Sequence, residues 1–144
     1  MDIEIVRLDL GLPVPAAQHQ GDAGIDLHAR EGADLPSGGG RVLIPTGLAL
    51  AIPEGFAGFV QPRSGLALKH GVTVLNTPGL IDAGYRDELK VILINTDPSQ
   101  PYTVQRGDRI AQLVIQRVEA VSLVLVDVLS ASTRDTGGFG STGR

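Results

Sequence analysis

Glycine and proline cut this chain into short segments, and that constrains its fold more than any other feature. There are 19 Gly and 9 Pro among 144 residues. They cluster at Pro36-Ser37-Gly38-Gly39-Gly40, Pro53-Glu54-Gly55, Asp97-Pro98-Ser99 and Arg106-Gly107-Asp108. Long helices do not survive such punctuation, whereas strands of ordinary length do. The segments between the clusters show a period of two. Ile3, Ile5 and Arg7 alternate with Glu4 and Val6, and Ile25, Leu27 and Ala29 alternate with Asp26, His28 and Arg30. Stronger β runs follow at 42–44, 47–52, 56–60, 89–94, 110–118 and 121–129. Short strands with turns every ~8–12 residues describe a β-barrel or jelly-roll-like sandwich. With three Phe, two Tyr and no Trp, its interior must be filled by aliphatic side chains.

One segment departs from the strand pattern. Ser64-Gly65-Leu66-Ala67-Leu68-Lys69-His70-Gly71 opens on a residue type favoured at helix N-caps and closes on a glycine suited to the C′ position, which predicts about two helical turns. A chain of this length holds one core, and no interdomain linker is visible. Residues 133–144 are Gly-rich with Phe139 as their apolar side chain, so they are expected to be mobile until something orders them. The absence of Cys removes disulfides, thiolate catalysis and Cys-based zinc sites. A net charge of −4 has the wrong sign for a protein whose whole surface grips nucleic acid. The acidic start, Met1-Asp2-Ile3-Glu4, is unlike a secretory signal, and no apolar run reaches the ~20 residues needed to span a bilayer. The cytoplasm is the default location.

Four segments carry possible chemistry, each with a plainer alternative. Gly138-Phe139-Gly140-Ser141-Thr142-Gly143 satisfies the dinucleotide pattern G-x-G-x-x-G, but the chain ends before a helix can follow, so a Rossmann reading fails. The segment is either a simple Gly/Ser tail or a nucleotide lid, with Arg134 for a phosphate and Phe139 for a base. Pro62-Arg63-Ser64-Gly65, at the mouth of the short helix, suits a phosphate or is an ordinary capped helix with a solvent-facing Arg. In the loop 76–88, Asp82 lies between Ile81 and Ala83, where desolvation would raise its basicity; an Asx turn is the alternative. Asp26 faces away from Ile25 and Leu27 and either holds Mg²⁺ through water or simply faces solvent. His19, His28 and His70 lack ligand spacing and read as surface residues, which disfavours zinc.

Taken together, these segments resemble one family. Asp-Ala-Gly-Ile-Asp-Leu (22–27), Pro-Arg-Ser-Gly-Leu-Ala (62–67), Asn76 with Gly-Leu-Ile-Asp-Ala-Gly-Tyr-Arg (79–86), Arg-Gly-Asp-Arg-Ile-Ala-Gln-Leu (106–113) and Arg134 with Gly-Gly-Phe-Gly-Ser-Thr-Gly (137–143) are similar, in order and spacing, to the five motifs of the trimeric deoxyuridine triphosphatases. The resemblance implies an all-β, jelly-roll-like (β-clip) protomer with one short helix. It implies a β domain over 1–132 and an arm over 133–144 that closes a neighbouring active site in a homotrimer. The implied reaction is Mg²⁺-dependent hydrolysis of dUTP to dUMP and pyrophosphate by attack of water at the α-phosphorus, which supplies dUMP for thymidylate synthesis and keeps uracil out of DNA.

The same resemblance assigns roles. Asp82 would orient and deprotonate the water, and Asp26 would hold the Mg²⁺ hydration shell. Arg63, Ser64 and Gly65 would bind phosphates, with Gln112 reaching them from another subunit. Asn76 would read the uracil edge, and Tyr85 would pack beneath the sugar and exclude a 2′-OH. Leu80, Ile81 and Lys90 belong to the same substrate-binding set. In the arm, Arg134 would meet the γ-phosphate, Phe139 would cover the base, and Gly140, Ser141 and Thr142 would line the substrate. Asp87 and Asp135 stand where many family members have Gly. Asp tolerates left-handed backbone, so Asp87 is expected to be harmless, while Asp135 adds negative charge beside Arg134. The rivals are a related dCTP deaminase, which the Gly-Leu-Ile-Asp-Ala-Gly-Tyr match disfavours, and a catalytically silent nucleotide sensor or structural trimer.

Overall fold

The computed structural model describes residues 1–132. Arm residues Arg134, Phe139, Gly140, Ser141 and Thr142, and the boundary drawn at 133, lie outside the described residues. The strands are β1 (Glu4–Arg7), β2 (Ile25–His28), β3 (Ala33–Leu35), β4 (Arg41–Pro45), β5 (Leu48–Ala51) and β6 (Phe56–Gln61). After the helix α1 (Ser64–His70) come β7 (Val72–Val74), β8 (Gly79–Ile81), β9 (Lys90–Asn95), β10 (Tyr102–Val104) and β11 (Arg109–Arg117). They pair in four small antiparallel sheets, ordered β1-β5, β10-β3, β2-β11-β6-β8 and β4-β9-β7. The mostly-β architecture with one short helix is the one the punctuation predicts. No helix among the described residues is long and apolar enough to cross a membrane.

The core is aliphatic. Leu27, Leu35, Ile44, Leu89, Leu93 and Ile110 are essentially inaccessible, and among the described residues no aromatic ring joins them at that depth. Phe56 and Tyr102 instead pack against its edge. Asn95 is completely buried, yet all its side-chain groups are satisfied. Its Nδ2 donates to the carbonyls of Leu35 (3.3 Å) and Gln100 (2.8 Å), and its Oδ1 accepts from the Asp97 N–H (3.0 Å).

Two local expectations need correction. Ser64 is the first helical residue and not the cap; Arg63 holds the N-cap position in extended conformation and makes no side-chain capping bond. The helix does end as predicted, on Gly71 with φ 63°, whose N–H bonds back to Ala67 and Leu66 carbonyls. The β run at 121–129 forms no strand, and Leu123, Leu125 and Leu129 are 94%, 100% and 85% exposed. Its composition suits a strand, but a strand needs an edge to pair with, and among the described residues no strand pairs with this segment.

Candidate active site

The four-stranded sheet sets one row of polar side chains side by side. In antiparallel pairing, residues directly opposite share a face. Gln112 on β11 lies opposite Asp26 on β2 and opposite Gln61 on β6. At the end of β6 the chain turns through Pro62 into α1, carrying Arg63, Ser64 and Gly65 over the same row. Asp26, Gln112, Arg63, Ser64 and Gly65, with Gln18, Asp22, Gly24 and Arg109, line a cleft of about 560 Å³.

Asp26 is the centre of this cleft. It is buried, and both carboxylate oxygens are engaged: Oδ1 lies 3.4 Å from Arg63 Nε, and Oδ2 accepts from Arg109 Nη1 at 3.2 Å. The solvent-facing alternative is thereby overturned, because two guanidinium groups cover the carboxylate. Gln112 Nε2 donates to the Pro62 carbonyl at 3.0 Å. This corrects the expectation that Gln112 reaches the phosphates from another subunit: the β6–β11 register puts it in the cleft of Arg63 and Ser64 themselves. A Cβ on Gly24 would overlap the Gln112 carboxamide, so the absence of a side chain there makes room for it. Ser64, the first residue of the helix and not its cap, lines the cleft.

His28 sits next to this cluster, half-buried and paired with Arg109. Burial lowers its pKa and the positive charges of Arg109 and Arg63 lower it further, against the opposing pull of Asp26. It is therefore not the ordinary surface histidine expected from sequence.

The loop 75–89 builds a second cluster. The β7–β9 pairing closes its base, Val74 opposite Leu93, while β8 crosses to the other sheet and pairs with β6, Leu80 opposite Phe59. A cis peptide joins Thr77 to Pro78. Asn76 lies over buried Gly79, whose missing Cβ would stand 3.4 Å from Asn76 Nδ2. Leu80 is exposed and Ile81 half-buried. Asp82 turns the chain, its carbonyl accepting from the Tyr85 N–H at 3.0 Å, and its side chain is exposed without a partner among the described residues. The flanking Ile81 and Ala83 do not desolvate it, since side chains adjacent in sequence point elsewhere. Tyr85 donates its hydroxyl hydrogen to the Glu88 carbonyl at 2.9 Å. Lys90 begins β9 opposite Pro45 and is exposed.

The structure thus unites Asp26, Arg63, Ser64, Gly65 and Gln112 and does not bring Asn76, Asp82, Tyr85 or Lys90 into their cleft. Arg109 is the residue that sequence reasoning missed. It stood inside a quoted motif, but only the strand register reveals that it reaches Asp26.

The donor set limits which metal fits. Among the described residues no group of three His, Cys, Asp or Glu side chains converges to enclose an ion. Asp26, already engaged by two arginines, suits an outer-shell partner: its remaining lone pairs can accept from the waters of a hydrated ion. A Mg²⁺ ion that keeps its hydration shell fits this donor set.

Two arginines and a buried carboxylate in the cleft of a small antiparallel domain define a β protein with a polar, charged pocket. The dUTPase family model matches residues 11–143. The deoxyuridine 5′-triphosphate nucleotidohydrolase of Thermobifida fusca is 58% identical over 141 residues, covering 98% of this chain and 78% of that one. The dUTPase of Staphylococcus bacteriophage 80alpha, solved with dUPNHPP, superimposes with a TM-score of 0.90 at 29% identity, covering 99% of both chains. The dUTPase of phage phi11 of S. aureus, whose structure reveals the coordination of a structural Mg(II) ion, gives 0.81 at 26% identity, covering 89% of this chain and 98% of that one. This chain belongs to the dUTPase family.

Proposed function

We propose that this protein hydrolyses dUTP to dUMP and pyrophosphate, with water attacking the α-phosphorus. The observation that carries the reading is Asp26 bracketed by Arg63 and Arg109 beside Ser64, Gly65 and Gln112. Phosphoryl transfer depends chiefly on positioning and charge stabilisation, which such a cluster supplies. Arg63 and Arg109 offer donor forks to phosphate oxygens, and Ser64 and Gly65 add a hydroxyl and main-chain N–H groups. The charged residues lining the cleft are Asp22, Asp26, Arg63 and Arg109, formally neutral as a set, so a triphosphate calls for further positive charge. Mg²⁺, held through water by Asp26, would neutralise and template the phosphate oxygens when bound. Asp82, exposed and without a partner among the described residues, orients the attacking water and takes its proton. Asn76, with the nearby Leu80 and Ile81 main chain, reads the uracil edge, and Tyr85 lies beneath the deoxyribose.

Because the loop carrying Asp82 does not line the cleft of its own protomer, we infer that a complete site forms between copies in a homotrimer. Exposed aliphatic side chains at 121–129 and an apolar groove lined by Ile3, Ile5, Ile25, Leu50, Leu113 and Ile115 support assembly. In this reading residues 133–144 close a neighbouring site, with Arg134 on the γ-phosphate and Phe139 over the base, and the enzyme acts in the cytoplasm. The test is product analysis with Mg²⁺ and dUTP, UTP or dCTP. Release of dUMP and pyrophosphate, a preference for dUTP of roughly a hundredfold and near-complete loss in Asp82→Asn are expected. Ammonia release from dCTP, or dUTP binding without turnover in titration calorimetry, would overturn the reading.

A further inference from the structure

Tyr85 stands on an exposed loop, yet its ring is tethered through residues far away in sequence. Its hydroxyl donates to the main-chain carbonyl of Glu88, and Glu88 is itself clamped. The Glu88 carboxylate accepts from the Gly47 N–H at 2.8 Å and from Arg30 Nη1 at 3.2 Å and 3.4 Å, with its side chain only 13% exposed. The next residue, Leu89, is locked into the core: its N–H donates to the Leu48 carbonyl, and its own carbonyl accepts from both the N–H and the hydroxyl of Thr46.

Arg30 is equally constrained. Its Nε lies 3.7 Å from Asp9, its Nη2 donates to the Leu8 carbonyl, and its own carbonyl accepts from Arg106 Nη1 at 2.7 Å. Gly47 has φ 70°, and a Cβ there would stand 3.0 Å from Asp9 Cβ and 3.2 Å from Leu12 Cδ1, so the turn that meets Glu88 requires glycine. Arg30 and Gly47 thus grip the Glu88 carboxylate from two distant segments, and the far end of that construction is the Tyr85 hydroxyl.

We propose that Arg30 and Glu88 are a positioning pair that holds the Tyr85 ring in place and so sets discrimination between deoxyribose and ribose nucleotides. The proposal rests on the reading of Tyr85 as the surface beneath the sugar. Steric exclusion of a single hydroxyl works only if the excluding ring does not yield; a ring free to move by a fraction of an ångström accommodates the larger sugar. The Arg30–Glu88 ion pair fixes the carbonyl that fixes the ring. Arg30 touches no part of the cleft, so its effect passes through Tyr85.

The test compares kcat/KM for dUTP and UTP in the full-length protein and in Arg30→Met, Arg30→Lys, Glu88→Gln and Tyr85→Phe. Arg30→Met is expected to lower the dUTP preference about tenfold while kcat for dUTP is nearly unchanged, and Arg30→Lys to restore part of it. Tyr85→Phe keeps the ring and loses the tether, so combining it with Arg30→Met should add little to either change alone. A second readout needs no turnover. The chain has two tyrosines and no Trp, so 3-fluorotyrosine labelling gives two fluorine signals, assigned with Tyr102→Phe. Broadening or displacement of the Tyr85 signal in Arg30→Met and Glu88→Gln, with that of Tyr102 unmoved, supports the pair. Unchanged discrimination and an unmoved Tyr85 signal in folded Arg30→Met or Glu88→Gln overturn it. A parent protein that uses UTP as well as dUTP overturns the reading of Tyr85 and the proposal with it, an outcome distinct from the first.

Discussion

Arg109 Nη1 donates to Asp26 Oδ2 at 3.2 Å across 83 residues of chain. The contact exists because β2 and β11 pair, with a register irregularity between Arg109 and Ala111 that re-aims the start of β11 toward the cleft. It places a second guanidinium beside the one expected from Pro62-Arg63-Ser64-Gly65. In the proposed site, replacing Arg109 by Met would remove one charge-assisted donor to the substrate, worth about 1.5 kcal/mol, or roughly tenfold in affinity. Steady-state kinetics should show a raised KM for dUTP with a smaller change in kcat.

Gly24→Ala tests the seat of Gln112. The new methyl group would displace the Gln112 carboxamide, the far end of a flexible side chain, from the Pro62 carbonyl. The loss of one partly buried hydrogen bond costs about 1 kcal/mol. The fold should therefore persist, with a thermal midpoint lowered by a few degrees. Activity at low dUTP concentration should fall severalfold, while thermal unfolding remains cooperative.

Asp9 sets part of the acid stability. Hydrogen bonding from Arg106 holds its pKa at about 2, below the ordinary 3.8, with help from the Gly11 N–H and the charges of Arg106 and Arg30. A carboxyl whose pKa is depressed by folding stabilises the fold above its unfolded value and loses that contribution as pH falls through the folded one. Asp9→Asn should lower the denaturation midpoint at pH 7 and flatten its decline between pH 4 and pH 2. Urea titrations across that range measure both.

Leu125 is wholly exposed in the single chain, so Leu125→Glu should leave the protomer's own core untouched. If residues 121–129 pack against another copy, burying a carboxylate there is strongly unfavourable. Light scattering is expected to show a trimeric parent and a smaller, folded variant with dUTP hydrolysis largely lost.

Truncation before Arg134 separates lid from scaffold. The shortened protein is expected to keep its circular dichroism spectrum and trimeric mass while losing most dUTP turnover. Asp135→Gly should lower KM modestly by removing the negative charge beside Arg134.

Much of the fold was legible because its signals are local. The alternation in Lys90–Asn95 appears directly in its burial, with Val91, Leu93 and Asn95 inward. The glycine at 71 stops α1 by a backbone property any sequence displays. The candidate site was legible in residue type: Asp26, Arg63, Ser64, Gly65 and Gln112 all reach one cleft. Ser64 misled because a cap depends on backbone angles one residue earlier. Asp82 misled because desolvation depends on what folds over a side chain, and its neighbours in sequence do not.

The sequence by itself determined that this protein is built from short antiparallel strands around an aliphatic interior, since period-two patterning and Gly/Pro turns act over a few residues. It also determined the residue types able to serve phosphate chemistry. Tertiary structure alone decided that Arg109 and Arg63 grip one carboxylate, that Gln112 shares their cleft, and that Arg30 reaches Glu88 beneath the Tyr85 tether. It also left 121–129 without a strand partner among the described residues, despite its strand-like composition. The reason is physical: strand register and ion pairing join residues tens of positions apart, and those distances are set only when the sheets close.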